Sequence, residues 1–121
     1  MENRIAVKSD WDTTNMPFKK ARFKLKRHFT NEEIQNLRCG CIPEEMEDRW
    51  FMYFEEDTMY IHRSWTGYCI YIVEFDFQTD VHRVVVNRDK EQYTCTSKKE
   101  DSELLNRLLD WWVNCRNGRL L

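Results

Sequence analysis

The sequence predicts an α+β fold: a four- or five-stranded, mainly antiparallel meander sheet with a short N-terminal helix and a long C-terminal helix packed on one face. Three observations predict it. Apolar and polar residues alternate with period two through much of residues 49–87, broken by turn chemistry at Glu55-Glu56-Asp57, Trp65-Thr66-Gly67 and Gln78-Thr79-Asp80. Leu104, Leu105, Leu108, Leu109 and Trp112 recur at helical spacing behind Ser97. Ala21, Phe23 and Leu25 alternate with Arg22, Lys24 and Lys26, the pattern of a half-buried strand with a cationic outer face.

Each element follows in chain order. Residues 1–17 are polar, lack a period and end in Asn15-Met16-Pro17, which predicts an irregular arm that docks through Trp11. A single α+β domain is expected over residues 18–116, with a frayed tail over 117–121. Its first strand covers residues 19–26. In Thr30-Asn31-Glu32-Glu33 the Thr hydroxyl and the Glu three residues on can satisfy each other's backbone donors, so a short helix starts there. Ile34 and Leu37 supply its buried stripe, and Gly40 is placed to stop it.

Four strands come next, at 49–54, 58–63, 68–77 and 81–87, joined by connections short enough for an antiparallel meander. The third carries Tyr68, Ile70 and Ile72 on one face and Cys69, Tyr71, Val73 and Phe75 on the other, which predicts a central position. The last helix spans 98–115, opened by Ser97 with Glu100 three residues later. Trp111 falls about 100° from Trp112 around its axis, at the edge of the apolar stripe.

Composition narrows the function class. A chain of 121 residues holds one core and buries roughly two thirds of its unfolded surface, and 14% aromatic content excludes disorder for most of it. No apolar run approaches the roughly 18 residues that span a bilayer, and the start has no apolar stretch of a signal peptide; the expectation is a soluble, cytoplasmic protein without a membrane partner. Five irregularly spaced cysteines predict reduced thiols rather than a disulfide framework. Cys39 and Cys41 lack the second pair of ligands that a zinc site needs, so no metal and no cofactor is expected.

The net charge of −2 conceals a basic run, Lys19 to His28, followed by an acidic one, Glu44 to Asp57. Lysines on a strand guard a sheet edge against aggregation, and without an overall basic excess a nucleic-acid partner is not expected. An unpaired edge there leaves both a monomer and a dimer open.

The richest candidate site is His62-Arg63-Ser64-Trp65-Thr66-Gly67, which ends one strand, turns and enters the next. Arg63 offers a planar fork for a carboxylate or phosphate, Ser64 and Thr66 offer hydroxyls, Trp65 offers a stacking face, and Gly67 permits close approach of a ligand or another backbone. Alternatively Trp65 plugs the core end and Arg63 pairs with a nearby Glu. A second polar group, Asn87-Arg88-Asp89 with Gln92-Tyr93, closes the fourth strand at the same end of the sheet. Arg63 and Arg88 flanked by Trp65 and Tyr93 would suit an anionic ligand with an aromatic base. The alternative is a loop network that ties Asp89 to one of the arginines. Arg49, His62, Asn87 and Gln92 are secondary candidates.

No catalytic residues are assigned. His62 and Ser64 share a strand face but stand about 7 Å apart, too far for a nucleophile and its base. Glycine-rich phosphate loops, paired metal-ligand histidines and nucleophile elbows do not occur in the sequence.

Glu47-Asp48-Arg49-Trp50-Phe51, His62 to Gly67 with Cys69-Ile70-Tyr71, and Val86-Asn87-Arg88-Asp89 with Gln92-Tyr93 resemble an uncharacterised family of small bacterial and phage-type proteins. The likeness covers residues 23–112. That family in turn resembles segments beside or fused to ADP-ribose-processing domains of the macrodomain or ADP-ribosylglycohydrolase kind. The resemblance brings no established activity.

Together these readings favour a non-catalytic binding module, a reader or sequestering sponge for a nucleotide-like or ADP-ribose-like anion. A protein-interaction inhibitor in phage and host conflict, acting through the acidic segment, is the second expectation. A small nucleotide or ADP-ribose hydrolase using Glu47 or His62 is the third.

Overall fold

A computed structural model of the protein describes residues 5–116, 119 and 120. Residues 1–4 of the expected arm, and Asn117, Gly118 and Leu121 of the expected tail, lie outside the described residues. The described elements run β1 (Lys20–Lys26), α1 (Asn31–Cys39), β2 (Trp50–Glu55), β3 (Thr58–Arg63), β4 (Cys69–Glu74), β5 (Val81–Asn87), α2 (Lys98–Trp112), β6 (Cys115–Arg116) and β7 (Arg119–Leu120). A single 3-10 turn at Lys8–Asp10 precedes them.

Among the described residues β1 to β5 form one antiparallel sheet in the order β1-β5-β4-β3-β2. β2 to β5 are the expected meander, and β1 returns beside β5 with Phe23 opposite Val84. The central strand is β4, which carries apolar residues on both faces and buries Cys69, Ile70, Tyr71 and Val73, because a strand with neighbours on both sides and layers above and below can cover both faces. The lysine strand is an edge, its cations facing outward.

One sheet face is closed by α2. Leu105, Leu109 and Trp112 sit in a common core with Ile61, Tyr71, Val73, Val84 and Val86. Helix α1 packs against β2 and begins at the expected capping box, where Thr30 Oγ1 accepts from Glu33 N at 3.1 Å and Thr30 N donates to Glu33 Oε1 at 2.9 Å. It ends at Gly40, whose φ of 76° lies in the left-handed region. A Cβ at Gly40 would come within 2.5 Å of the Met52 carbonyl oxygen and 2.6 Å of Ala6 Cβ, so the residue that stops the helix also admits β2 and the arm.

The arm closes the opposite face over β2 and β3. Ala6 is fully buried with Phe51 and Tyr53, and Trp11 stacks on Phe51 with ring centroids 6.0 Å apart. Docking through Trp11 is therefore observed, and the arm from residue 5 onward is a second layer of the fold.

Two element ends differ from expectation by three residues, while β1, β2 and the start of β4 shift by one. β4 ends at Glu74 rather than at residue 77, because Asp76 N donates to His82 Nδ1 at 3.0 Å and the Asp76 carboxylate accepts from Gln78 N and Thr79 N. These bonds turn the chain and stack Phe75 on Phe77 beside Phe29 and His82. Helix α2 ends at Trp112 rather than 115, and Asn36 Nδ2 caps this end by donating to the Val113 carbonyl at 2.7 Å. In the segment expected to fray, Arg119–Leu120 pairs with Cys115–Arg116.

Candidate functional site

The loop after β3 is built by the strand pairing beneath it. Arg63 stands opposite Trp50 across β2 and β3, and its guanidinium lies over the Trp50 ring at 5.1 Å from the centroid. The register between β3 and β4 shifts at Ile61 and His62, so His62 pairs with Cys69 and the chain enters its turn one residue out of phase. Arg63 N donates to Tyr68 O and Gly67 N to Arg63 O, closing the loop on itself.

Arg49, Arg63, Ser64, Trp65 and Thr66 line one cleft of about 550 Å³, together with Met46 and Glu47 from the acidic loop. Among the described residues neither Arg49 nor Arg63 forms an ion pair with a carboxylate. Trp65 is 74% exposed, which excludes the core-plug reading, and its Nε1 donates to Met46 O at 3.1 Å. That bond ties the edge of the indole to the acidic loop that lines the same cleft. The two hydroxyls differ. Ser64 Oγ gives its proton to the Asp48 carbonyl at 2.7 Å, whereas Thr66 Oγ1 accepts from Tyr68 N at 3.3 Å and keeps a proton to donate.

Arg88 and Tyr93 belong to a different arrangement. Arg88 Nη2 donates to Asp101 Oδ2 at 2.5 Å, and the same carboxylate accepts from Tyr71 Oη at 3.1 Å and Tyr93 Oη at 2.9 Å. Asp101 is fully buried under the first turn of α2. Burial pushes both phenols upward, so both stay protonated donors. Asn87 is also buried: its Nδ2 donates to Cys69 O and to Gln92 Oε1, and its Oδ1 accepts from Asp89 N.

The expectation that Arg63 and Arg88 face one concavity is thus replaced by two sites at the same end of the sheet. Arg88 and Tyr93, with Asn87 and Gln92, hold the β5 exit to α2. Asp101 was missed as the partner, yet a signal existed: Asp101, Leu105 and Leu109 fall at four-residue spacing, which places an acid on the buried stripe.

His62 faces the arm and lines a cleft different from the one lined by Arg63. Gly67, with φ of 76°, serves the arm as well: Thr14 N donates to its carbonyl at 2.9 Å, and a Cβ there would strike the Asp12 carbonyl oxygen. Trp11 Nε1 completes the seam by donating to Ser64 O at 2.8 Å. The close approach that Gly67 was expected to permit is made by the chain's own backbone.

Glu47 and His62 do not share a cleft, and the Cys69 thiol is pushed up to about 12 by burial, so it stays protonated and unreactive. Among the described residues no three His, Cys, Asp or Glu side chains converge to hold a metal ion. No family model, curated protein or solved structure gives a significant match to the chain.

Proposed function

We propose that this protein is a non-catalytic binding module that captures a nucleotide-like or ADP-ribose-like anion in the cleft of Arg49, Arg63, Trp65 and Thr66. One observation carries the reading: two guanidinium groups without carboxylate partners among the described residues line the same cleft as a largely exposed indole. Arg63 and Arg49 supply charge-assisted bonds to phosphate, Trp65 stacks a base at about 1–3 kcal/mol, and Thr66 donates a hydroxyl. Arg88 and Tyr93 act behind the site as structure. The resemblance of the motifs to proteins beside ADP-ribose-processing domains makes ADP-ribose the first ligand to try.

The test is a thermal-shift and calorimetric screen against ADP-ribose, NAD and mono- and cyclic nucleotides, on wild type and Arg63→Ala. A ligand held only by the folded state raises its stability by about 2.7 kcal/mol at a hundredfold excess over Kd. Arg63→Ala should abolish that rise while changing the melting temperature of the free protein little, since it removes one cation–π contact of about 0.5–1 kcal/mol. No rise for any ligand class, or a variant that loses stability while binding normally, overturns the reading.

A second reading rests on the adjoining groove of about 770 Å³, lined by Glu44, Glu45, Glu47 and Asp48 together with Trp50, Leu108 and Trp111, and also by Arg49 and Arg107. It supports a protein-interaction module for a basic, apolar partner. A stoichiometric partner released by salt would favour it over the anion reader.

A further inference from the structure

β1 (Lys20–Lys26) is an edge strand whose seven residues run in unbroken register against β5, without a bulge or a proline. The direction of its backbone groups follows from its two ends. Lys19 O accepts from Arg88 N at 2.9 Å and Arg27 N donates to Asp80 O at 3.0 Å, so the odd-numbered residues between them exchange bonds with β5. The N–H and C=O groups of Lys20, Arg22, Lys24 and Lys26 therefore point away from the sheet, and among the described residues no strand lies on that side.

The side chains divide in the same way. Lys20, Arg22, Lys24 and Lys26 are exposed, and among the described residues none of them forms an ion pair with a carboxylate. Ala21 and Phe23 pack against the core under α2 and stay half-buried. A strand laid along this edge meets free backbone groups and a cation at every second residue, and an incompletely covered apolar row between them.

That pattern decides which strand fits. A second copy of β1 pairing antiparallel must use the outward groups of its own even-numbered residues, which sets cation directly opposite cation. The other edge strand, β2, carries a single acid, Glu55, and is bridged at Met52 by Cys41, so it does not supply the complementary row either. We propose that β1 is a docking edge for an extended acidic segment of a partner protein, with an acid at every second residue opposite Lys20, Arg22, Lys24 and Lys26 and apolar residues beside Ala21 and Phe23. The proposal is independent of the anion-binding cleft at the loop after β3.

The experiment titrates the ¹⁵N-labelled full chain with a capped peptide of alternating glutamate and valine and reads amide hydrogen exchange residue by residue. In the free protein the amides of Lys20, Arg22, Lys24 and Lys26 should exchange faster than those of Ala21, Phe23 and Leu25. At saturation the peptide should slow the first set about tenfold or more and leave the second set in place, and added salt should reverse the effect. A peptide of the same composition with its glutamates in one block, and one N-methylated at every glutamate, should each bind about tenfold more weakly. Arg22→Glu combined with Lys24→Glu should abolish the protection, and a lysine–valine peptide should restore it. Should that variant fail to fold, Lys24→Ala carries the same test, with binding weakened about threefold.

Outward amides that already exchange as slowly as the inward ones in the free protein overturn the proposal, as does a peptide that leaves them unchanged. So do control peptides that bind as tightly as the alternating one. An oligothymidylate that protects the same amides as strongly also overturns it, because the edge would then be a surface for polyanions rather than for a strand.

Discussion

Arg88 reaches out of the β5 exit to the carboxylate of Asp101, which is fully buried at the start of α2. The pair joins the end of the meander to the helix that covers it, and Tyr71 and Tyr93 meet the other carboxylate oxygen, Oδ1.

Removing one partner strands the other. Arg88→Ala leaves a buried carboxylate without its cation and should cost about 3–5 kcal/mol in urea denaturation. Replacing both residues with leucine should cost clearly less, because no charge then remains buried. Equal losses in the single and double variants would show that the salt bridge does not act as a coupled pair.

Gly67 should resist substitution for two separate reasons. An alanine at its φ of 76° costs about 1–2 kcal/mol of backbone strain, and its Cβ would push the Asp12 carbonyl away. Gly67→Ala should therefore loosen the arm first, read as faster amide exchange over residues 5–17 while β4 and β5 stay protected. Unchanged exchange in the arm would refute the seam between Gly67 and the arm.

His62 makes stability depend on acid. Its folded-state pKa lies below the unfolded value of 6.5, so below that pH the unfolded chain takes up a proton that the folded protein refuses. Stability is full above about pH 6.5 and falls as pH drops, by up to about 1.4 kcal/mol per pH unit until the folded-state pKa is reached. His62→Phe should flatten this part of the profile when urea midpoints are compared between pH 7.5 and 5.5. An identical slope in wild type and variant would mean that the imidazole titrates normally in the folded state.

What the sequence determined by itself is the set of local elements. The capping box at Thr30, the stop at Gly40, the alternation in β3 and β5 and the leucine stripe of α2 depend on residues within a few positions of one another, so their spacing is legible without a fold. The centrality of β4 was equally legible, because apolar groups on both faces demand cover on both sides. Two boundaries moved where a distant side chain took over: His82 draws the Asp76 amide out of β4, and Asn36 caps α2 from another helix.

The site was legible in part for the same reason. Arg63, Ser64, Trp65 and Thr66 are neighbours in sequence and line one cleft, whereas Arg49 joins them only through the pairing of β2 with β3. That Arg88 turns to Asp101, and that Gly67 meets the arm instead of leaving room for a ligand, were decided by tertiary structure alone. Side-chain chemistry states what a group can bind. Which of several competing partners it meets depends on distances across 13 residues for Arg88 and 53 for the Thr14 and Gly67 contact, and only the packed chain sets those.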